Sequence, residues 1–580
     1  MQYNIAPAAT NRTNVSLSHN HISTIDFNQV NVVQVTDCII GDEHHNVISP
    51  FVRLAPLAVP TFGNFSLHLC TFFVPYYQVF KYFDAFITGG NSVGNIQTRQ
   101  LPMLQLYDLY RSLILNTDCV EVTDGGHTDI VIDTGSAQAP EVHGYRFGRR
   151  AKQIYKILCS LGYPATDLAS YGDSRTHAFN ALPLLCFFKG FNDWLTMSAT
   201  YSQSDLTAFL QDPYQRIGST LINHDSVISI LDNYIHPLIG SDYFTSAYNA
   251  PINAVNLSSN PQVDLGFFDK LRNQIVPENS VSTNPNENSI YINNQKNVLS
   301  EYTLKFLRSF DSFVRRNQLA GTRPAQRILA AFGLKSEDFR SNYAHLVNHA
   351  VIPFNVADVT STAANADPAL GLGTYAGQSI ASGKYEYNYK CDDFGCLITI
   401  AFVDVKAQYR SAISALALKQ TNLDFYQPDF DGVGLMPISR AQLYCNPTLG
   451  PNMEIDAGHI NSVFGFVPRY EEYRSEFDKV SGDFLIYDTM DSWHFARNFA
   501  QSNALRKALP QSHDFQFTGN EFDRIFTAEV SDNEDVADHF FCVFNINHSA
   551  VRPIKSRAGS IDMKEGQIQI ASHGKTIQEM

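Results

Sequence analysis

The sequence predicts a mainly β fold in which antiparallel strands close into a jelly roll interrupted by large loop and helical insertions. Three observations carry that prediction. Strongly apolar, strand-like words recur at residues 65–74 (FSLHLCTFFV), 396–405 (CLITIAFVDV) and 540–547 (FFCVFNIN). Long irregular excursions separate them, in place of the regular helices that βαβ units require. Aromatic residues make up 12% of the chain, led by 41 Phe and 28 Tyr, a balance suited to pleated surfaces and contacts. Closing antiparallel strands on themselves is the economical way for such a chain to protect its edges.

The segment 51–80 is the most informative. Phe65, Leu67, Leu69, Thr71 and Phe73 fall on one side of an extended chain, and Ser66, His68, Cys70, Phe72 and Val74 on the other. Pro56, Pro60 and Gly63 prevent a helix ahead of it, and Pro75 ends it. Because both sides carry large apolar groups, this strand is expected to be covered on two faces.

Ahead of it, residues 15–35 contain short period-two words, read as strands or extended arms, which lead through Cys38 to a turn at Gly41, Asp42, Glu43, His44 and His45. Acids and imidazoles gather there, but neighbours in sequence seldom converge on one ion. The expectation is a solvated turn, and no metal ligand is assigned.

Downstream the period changes. In residues 148–161, Ala151, Ile154, Tyr155, Leu158 and Leu161 line one face of a helix that carries Arg149, Arg150, Lys152 and Lys156 opposite, the densest basic patch in the chain. That face is either solvated or in contact with phosphates on an inward surface. A second helix at 181–195, with Pro183 in its first turn, carries a Leu/Phe/Trp stripe that reads as core. Residues 148–212 are thus a helical insertion. The stretch 213–300 mixes Asn, Ser, Asp, Pro and Tyr with little periodicity and reads as a loop-rich, surface-protruding insertion. Residues 301–390 hold two helices, at 301–316 and 324–332, and a Ser/Thr/Ala/Gly linker at 360–383. The GLGTYAG within that linker neither follows a strand nor opens a periodic helix, so it is no dinucleotide loop. Residues 552–580 read as a C-terminal arm.

Bulk properties narrow the function. Only 17% of residues are charged, so copies or partners are expected to cover much of the surface. A net charge of −15 restricts contact with a polyanion to local basic patches. The nine cysteines are scattered and form no CxxC pair, which favours reduced, buried thiols. With no basic leader and no apolar run of about 18 residues, the expectation is a soluble protein made in a cytoplasm, without membrane insertion. HExxH and Walker-type motifs are absent. In the word Asp491-Ser492-Trp493-His494, a potential nucleophile and base are close in sequence but point different ways along the chain. Neither enzymatic activity nor a cofactor is expected.

Ten words then recur in a familiar order: SLSH at 16–19, the turn at Gly41-Asp42, RLAP at 53–56, FFVP at 72–75, NALP at 180–183, AGTRPAQRILAAFG at 320–333, LDFYQPDF at 423–430, VFGFVPRYEEYR at 463–474, DSWHFARNF at 491–499 and DHFFCVFNINHSAVRP at 538–553. With these the chain resembles the major capsid proteins of microviruses, the small single-stranded DNA bacteriophages, and in particular their gokushovirus-like branch. The resemblance implies one capsid domain over residues 1–580, built on an eight-stranded jelly roll (the viral β-barrel), and assembly with other copies of itself into a T=1 icosahedral shell around circular single-stranded DNA. It implies as partners a small basic DNA-binding protein, a minor pilot protein and a host surface receptor met by the insertion at 213–300. It places the protein in the virion, and in the host cytoplasm during assembly. Candidate DNA-facing residues are Arg149, Arg150, Lys152 and Lys156 on the helix and Arg552, Lys555 and Arg557 in the tail. After Arg552-Pro553 the family's aromatic-glycine ending is replaced by IKSRAGSID. The alternative class is a jelly-roll carbohydrate-binding or carbohydrate-active protein, which would need converging acids or a calcium site in a cleft.

Overall fold

The structure, a computed structural model, describes residues 12–27, 29–87, 101–122, 127–135, 141–165, 168, 177–195, 204–215, 220–236, 242–247, 332–333, 343–360, 375–410, 413–420, 422, 424–431, 435–443, 463–497, 522–526 and 538–554. The fold is mainly β, and its two large sheets are antiparallel throughout. In chain order their strands are β1 (Thr13–Ser16), β2 (His19–Ile25), β3 (Val30–Cys38), β4 (Glu43–Leu54), β5 (Phe65–Pro75), β6 (His345–Pro353), β7 (Asn355–Thr360), β8 (Tyr375–Ser382), β9 (Tyr385–Lys390), β10 (Gly395–Val405) and β11 (Phe540–Arg552). The larger sheet runs β1 and β2, then β11, β4, then β8 and β9 end to end along β4, with β7 beside β8; the smaller runs β6, β5, β10, β3.

The three strands read most clearly from sequence sit at the centres of these sheets. Strand β5 pairs with β10 from Phe65↔Val405 to Pro75↔Gly395, and β11 pairs with β4 from Phe540↔Leu54 to Val551↔Glu43. Pro50 has no N–H to give, and it falls at the break between β9, which pairs with residues 43–48 of β4, and β8, which pairs with residues 51–53.

Two apolar cores follow from the pleat. Between the sheets, Phe65, Leu67, Leu69 and Phe73 of β5 meet Leu397, Ala401, Val403 and Val405 of β10 and Ile48, Val52, Phe540, Cys542 and Phe544 of the larger sheet. Polar stitches cross between the sheets, among them the Tyr385 hydroxyl, which donates to Thr71 Oγ1 at 2.7 Å, with Thr71 paired to Thr399 at 2.8 Å. On the opposite face of the smaller sheet, Cys70, Phe72, Val74, Ile398, Ile400 and Phe402 are covered by helices. The two-sided cover expected for residues 65–74 is therefore present.

The covering helices are α1 (Leu106–Asn116), α2 (Arg149–Ser160), α3 (Leu182–Trp194), α4 (Ser204–Gln211) and α5 (His224–Asn233). Helix α3 has Pro183 at its start, and its Leu184, Phe187, Phe188 and Phe191 are fully buried. Gly190 lets it lie close on the sheet, since a Cβ there would stand 2.2 Å from the Phe72 ring. Helix α2 begins on a carboxylate from elsewhere in the chain: Asp118 accepts from the Arg150 and Ala151 N–H groups at 3.1 and 2.9 Å.

Several expectations change. The loop-rich reading of residues 213–300 fails for its described part: α5 starts on Asn223, whose side chain accepts from Ser226 N–H, and buries Val227, Ile228, Ile230 and Leu231 in the helical core. Tyr243 and Phe244 pack into the inter-sheet core. The linker expected at 360–383 ends in strand β8, because weakly β-prone Ser, Ala and Gly residues are held by pairing with β7 and β4. The helices expected at 301–316 and 324–332 lie outside the described residues but for Phe332.

Candidate functional site

The basic face of α2 turns toward acids of its own chain. Arg149 Nη2 lies 2.8 Å from Asp523 and 3.7 Å from Asp26. Arg150 Nε lies 3.2 Å from Asp232 and its side chain is 57% exposed. Lys156 Nζ donates to Gln29 Oε1 at 2.6 Å and pairs with buried Asp538, with Lys152 3.9 Å from the same carboxylate. Burial works to raise the Asp538 carboxyl, but the Lys156 ammonium outweighs it and holds it below the usual range. Arg552 donates to the Asp37 carbonyl at 2.7 Å and sits 3.4 Å from Asp42. It is at the end of β11, apart from the α2 cluster; Lys555 and Arg557 lie outside the described residues.

The α2 cations continue into a buried brace. His539 Nδ1 is 3.1 Å from both Asp26 oxygens, and its ring stacks on Phe526 at 3.9 Å. Asp26, Asp523, His539 and Arg149 come from four distant segments, so this polar network ties the N-terminal strands, helix α2 and the start of β11 together. In the word Asp491-Ser492-Trp493-His494, the imidazole is taken up by backbone: His494 Nε2–H donates to the Phe484 carbonyl at 2.9 Å and Nδ1 accepts from Ala496 N–H at 3.1 Å. That leaves this ring no nitrogen with which to activate Ser492.

The turn at Gly41 to His45 overturns an expectation. It is not solvated: Asp42 and His44 are buried while Glu43 and His45 face out, because β4 already begins at Glu43 and alternation sends every second side chain inward. Cys38, just ahead of the turn, and Cys391 and His548, both remote from it in sequence, close around His44. Pairing β11 with β4 and β9 with β4 creates this juxtaposition.

The outer face of the larger sheet is a candidate contact surface. Register aligns Ile22, Val543 and Phe51 in one row across β2, β11 and β4, and Thr24, Phe541, Arg53 and Ile380 in the next. Ile22, Phe541 and Ile380 are exposed, the first by 77%, and among the described residues neither core takes any of these side chains in. Nothing in the sequence marked this row, since its members are 490 or more residues apart at the extremes and only strand order joins them.

A family model described as capsid protein (F protein) matches residues 4–105 and 285–560, well over half of the chain. The chain belongs to this capsid protein family. It is 22% identical to capsid protein VP1 of Chlamydia phage 1 over 614 aligned positions, covering 95% of this chain and 96% of that protein. It is also 22% identical to capsid protein VP1 of Bdellovibrio phage phiMH2K over 206 positions, 35% of this chain and 37% of that protein. The protein is therefore a structural capsid protein of the microvirus type and not an enzyme. The α2 patch, the buried brace and the exposed row are accordingly features of a shell subunit. Among the described residues no helix is long and apolar enough to cross a membrane.

Proposed function

We propose that copies of this capsid protein close into a T=1 icosahedral shell around a circular single-stranded DNA genome, each copy contributing an eight-stranded jelly roll as the wall. The observation that carries this reading is the strand order. Taking β8 and β9, which follow one another along β4, as one strand, four strands of one sheet run β2, β11, β4, β9 and four of the other run β3, β10, β5, β6, the interleaving a jelly roll requires. The outer face that exposes Ile22, Phe541 and Ile380 supports tiling by identical neighbours. Electron microscopy of the expressed full-length protein tests it: closed particles of uniform diameter are expected, and a protein that stays monomeric at high concentration refutes it.

The remaining roles rest on the same reading. With a net charge of −15, the coat takes a small basic DNA-binding protein as its partner for the genome, alongside a minor pilot protein, and it assembles in the host cytoplasm. Among the candidate DNA-facing residues, all four cations of α2 hold carboxylates of their own chain, but Arg150 stays 57% exposed while paired with Asp232, so it is the most exposed of the described candidates and the first to test. The variant Arg150→Gln is expected to lower the ratio of absorbance at 260 to 280 nm in purified particles; an unchanged ratio removes that contact. Receptor attachment is assigned to the insertion at 213–300. Its texture supports this, and the family match skips residues 106–284. Particles lacking residues 251–300 are expected to assemble but adsorb poorly to host cells.

A further inference from the structure

We infer that Cys38, His44 and Cys391 form a structural site for a thiophilic divalent cation, zinc by preference, at one end of the sandwich. The three ligand atoms lie within 4.8 Å of one another and all three residues are buried. Cys38 Sγ is 3.5 Å from His44 Nε2. Bonds of about 2.3 Å to sulfur and 2.0 Å to nitrogen at a tetrahedral angle require a separation of roughly 3.5 Å.

Surrounding groups are those a metal-bound imidazole needs. With Nε2 facing the thiols, His44 Nδ1 lies 3.0 Å from His548 Nε2, and His548 Nδ1 lies 2.8 Å from Gln34 Nε2. Gln34 Oε1 in turn accepts from Asn46 at 2.7 Å. Metal binding needs the Gln34 amide turned so that its Oε1 accepts from His548 Nδ1–H, with Asn46, whose Oδ1 is unpartnered, turning alongside; His548 Nε2 then accepts from His44 Nδ1–H and His44 Nε2 is left free for the metal. Asp42 is the nearest candidate for a fourth ligand: its Oδ2 is 3.5 Å from His44 Nε2, and its Oδ1 is buried without a hydrogen-bond partner. The backbone already brings the loops together, since Gly41 N–H donates to the Cys391 carbonyl at 2.7 Å and Cys391 N–H to the Asp42 carbonyl at 2.8 Å.

Charge fits as well. On binding, the two thiols release two protons to solvent and form two metal–sulfur bonds; two thiolates cancel the divalent charge, and neutral His44 adds none. The Asp42 carboxylate faces Arg552. Soft thiolates select zinc over calcium or magnesium. Such a site would pin the β3–β4 turn to the β9–β10 connection, two segments remote from each other in sequence.

The test uses full-length protein purified under reducing conditions and supplied with zinc. After dialysis against zinc-free buffer, elemental analysis is expected to find about one zinc per chain. Cys38→Ser and Cys391→Ser should retain at least tenfold less, Cys159→Ser should retain it, and His548→Gln should weaken affinity about 10–100-fold. So that the test does not depend on the folding of the site variants, two readouts use the wild type alone. Cobalt substitution should give thiolate charge-transfer and tetrahedral d–d bands, and zinc should protect Cys38 and Cys391 from alkylation. The inference is overturned by wild-type protein that holds less than a tenth of an equivalent and alkylates equally with and without zinc, or by a Cys38–Cys391 disulfide.

Discussion

The two large sheets of this sandwich bury themselves by different means. Strands β5 and β10 of the smaller sheet are covered on both faces, by the larger sheet on one side and by helices α1 to α5 on the other. Strands β4 and β11 of the larger sheet alternate, with every second side chain inward and the others at or near the surface. A strand covered twice must be apolar at nearly every position, whereas one covered once needs only half of them. The chain therefore seals one wall of its sandwich with its own helices, while among the described residues the other wall keeps alternate side chains at or near the surface.

This contrast gives the largest expected effect. Phe72 is fully buried under α3 on the helical side of β5, so Phe72→Ala should cost about 3–5 kcal/mol in chemical unfolding monitored by fluorescence. An effect below about 1 kcal/mol would mean that the helical layer is not a tightly packed core.

A second measurement uses pH. His68, on the helical face of β5, lies 3.0 Å from His349 of β6, 3.6 Å from Asp404 of β10, and stacks on Phe402 at 5.0 Å. Burial, with His349 adding to it, brings its pKa down to about 4. The unfolded chain takes up a proton near pH 6.5 and the folded chain does not, so the unfolded state binds more protons between about 6.5 and 4. The contribution of neutral His68 is thus present above pH 6.5 and is lost as pH falls toward 4, by at most roughly 3 kcal/mol. His224, His345 and His548 are also shifted down, mainly by burial. The test is therefore the difference between wild type and His68→Gln: it should shrink in favour of the variant from pH 7 to pH 4.5, and a constant difference would contradict it.

Third in size is Gly190→Ala. The added methyl meets the Phe72 ring, and the overpacking should cost about 1–3 kcal/mol. Combined with Phe72→Ala the penalty should largely vanish, because the colliding ring is gone; additive losses would show that Gly190 acts through backbone entropy instead.

The same contrast explains what could be read from the chain. Strands β5, β10 and the first part of β11 stand out because apolar runs leave a local signal. Strands β4 and β9 do not, since their inward positions include His44, Asn46, Tyr385 and Tyr387, polar or amphipathic side chains whose partners include residues hundreds of positions away. Helix α5 escaped notice inside a polar stretch for the same reason. The basic face of α2 was legible, but its acids were not, because Asp26, Asp232, Asp523 and Asp538 reach it through the fold. At the Gly41 turn, sequence proximity pointed to the wrong set: Cys391 and His548 complete the cluster, and only strand pairing brings them there.

The smallest expected effect on the subunit tests the other wall. Ile22 and Phe541 lie in adjacent rows on the outer face of the larger sheet, one 77% and the other 46% exposed. Replacing both with Ser removes little buried surface, so the stability of the isolated subunit should stay within about 0.5 kcal/mol of wild type. If that face meets a neighbouring copy, the lost apolar contact is repeated at every equivalent interface of a closed shell, and particle yield by sucrose-gradient sedimentation should fall several-fold. Unchanged yield would leave this wall facing solvent, and a large loss of subunit stability would place it inside a core; either result would end the contrast between the two sheets.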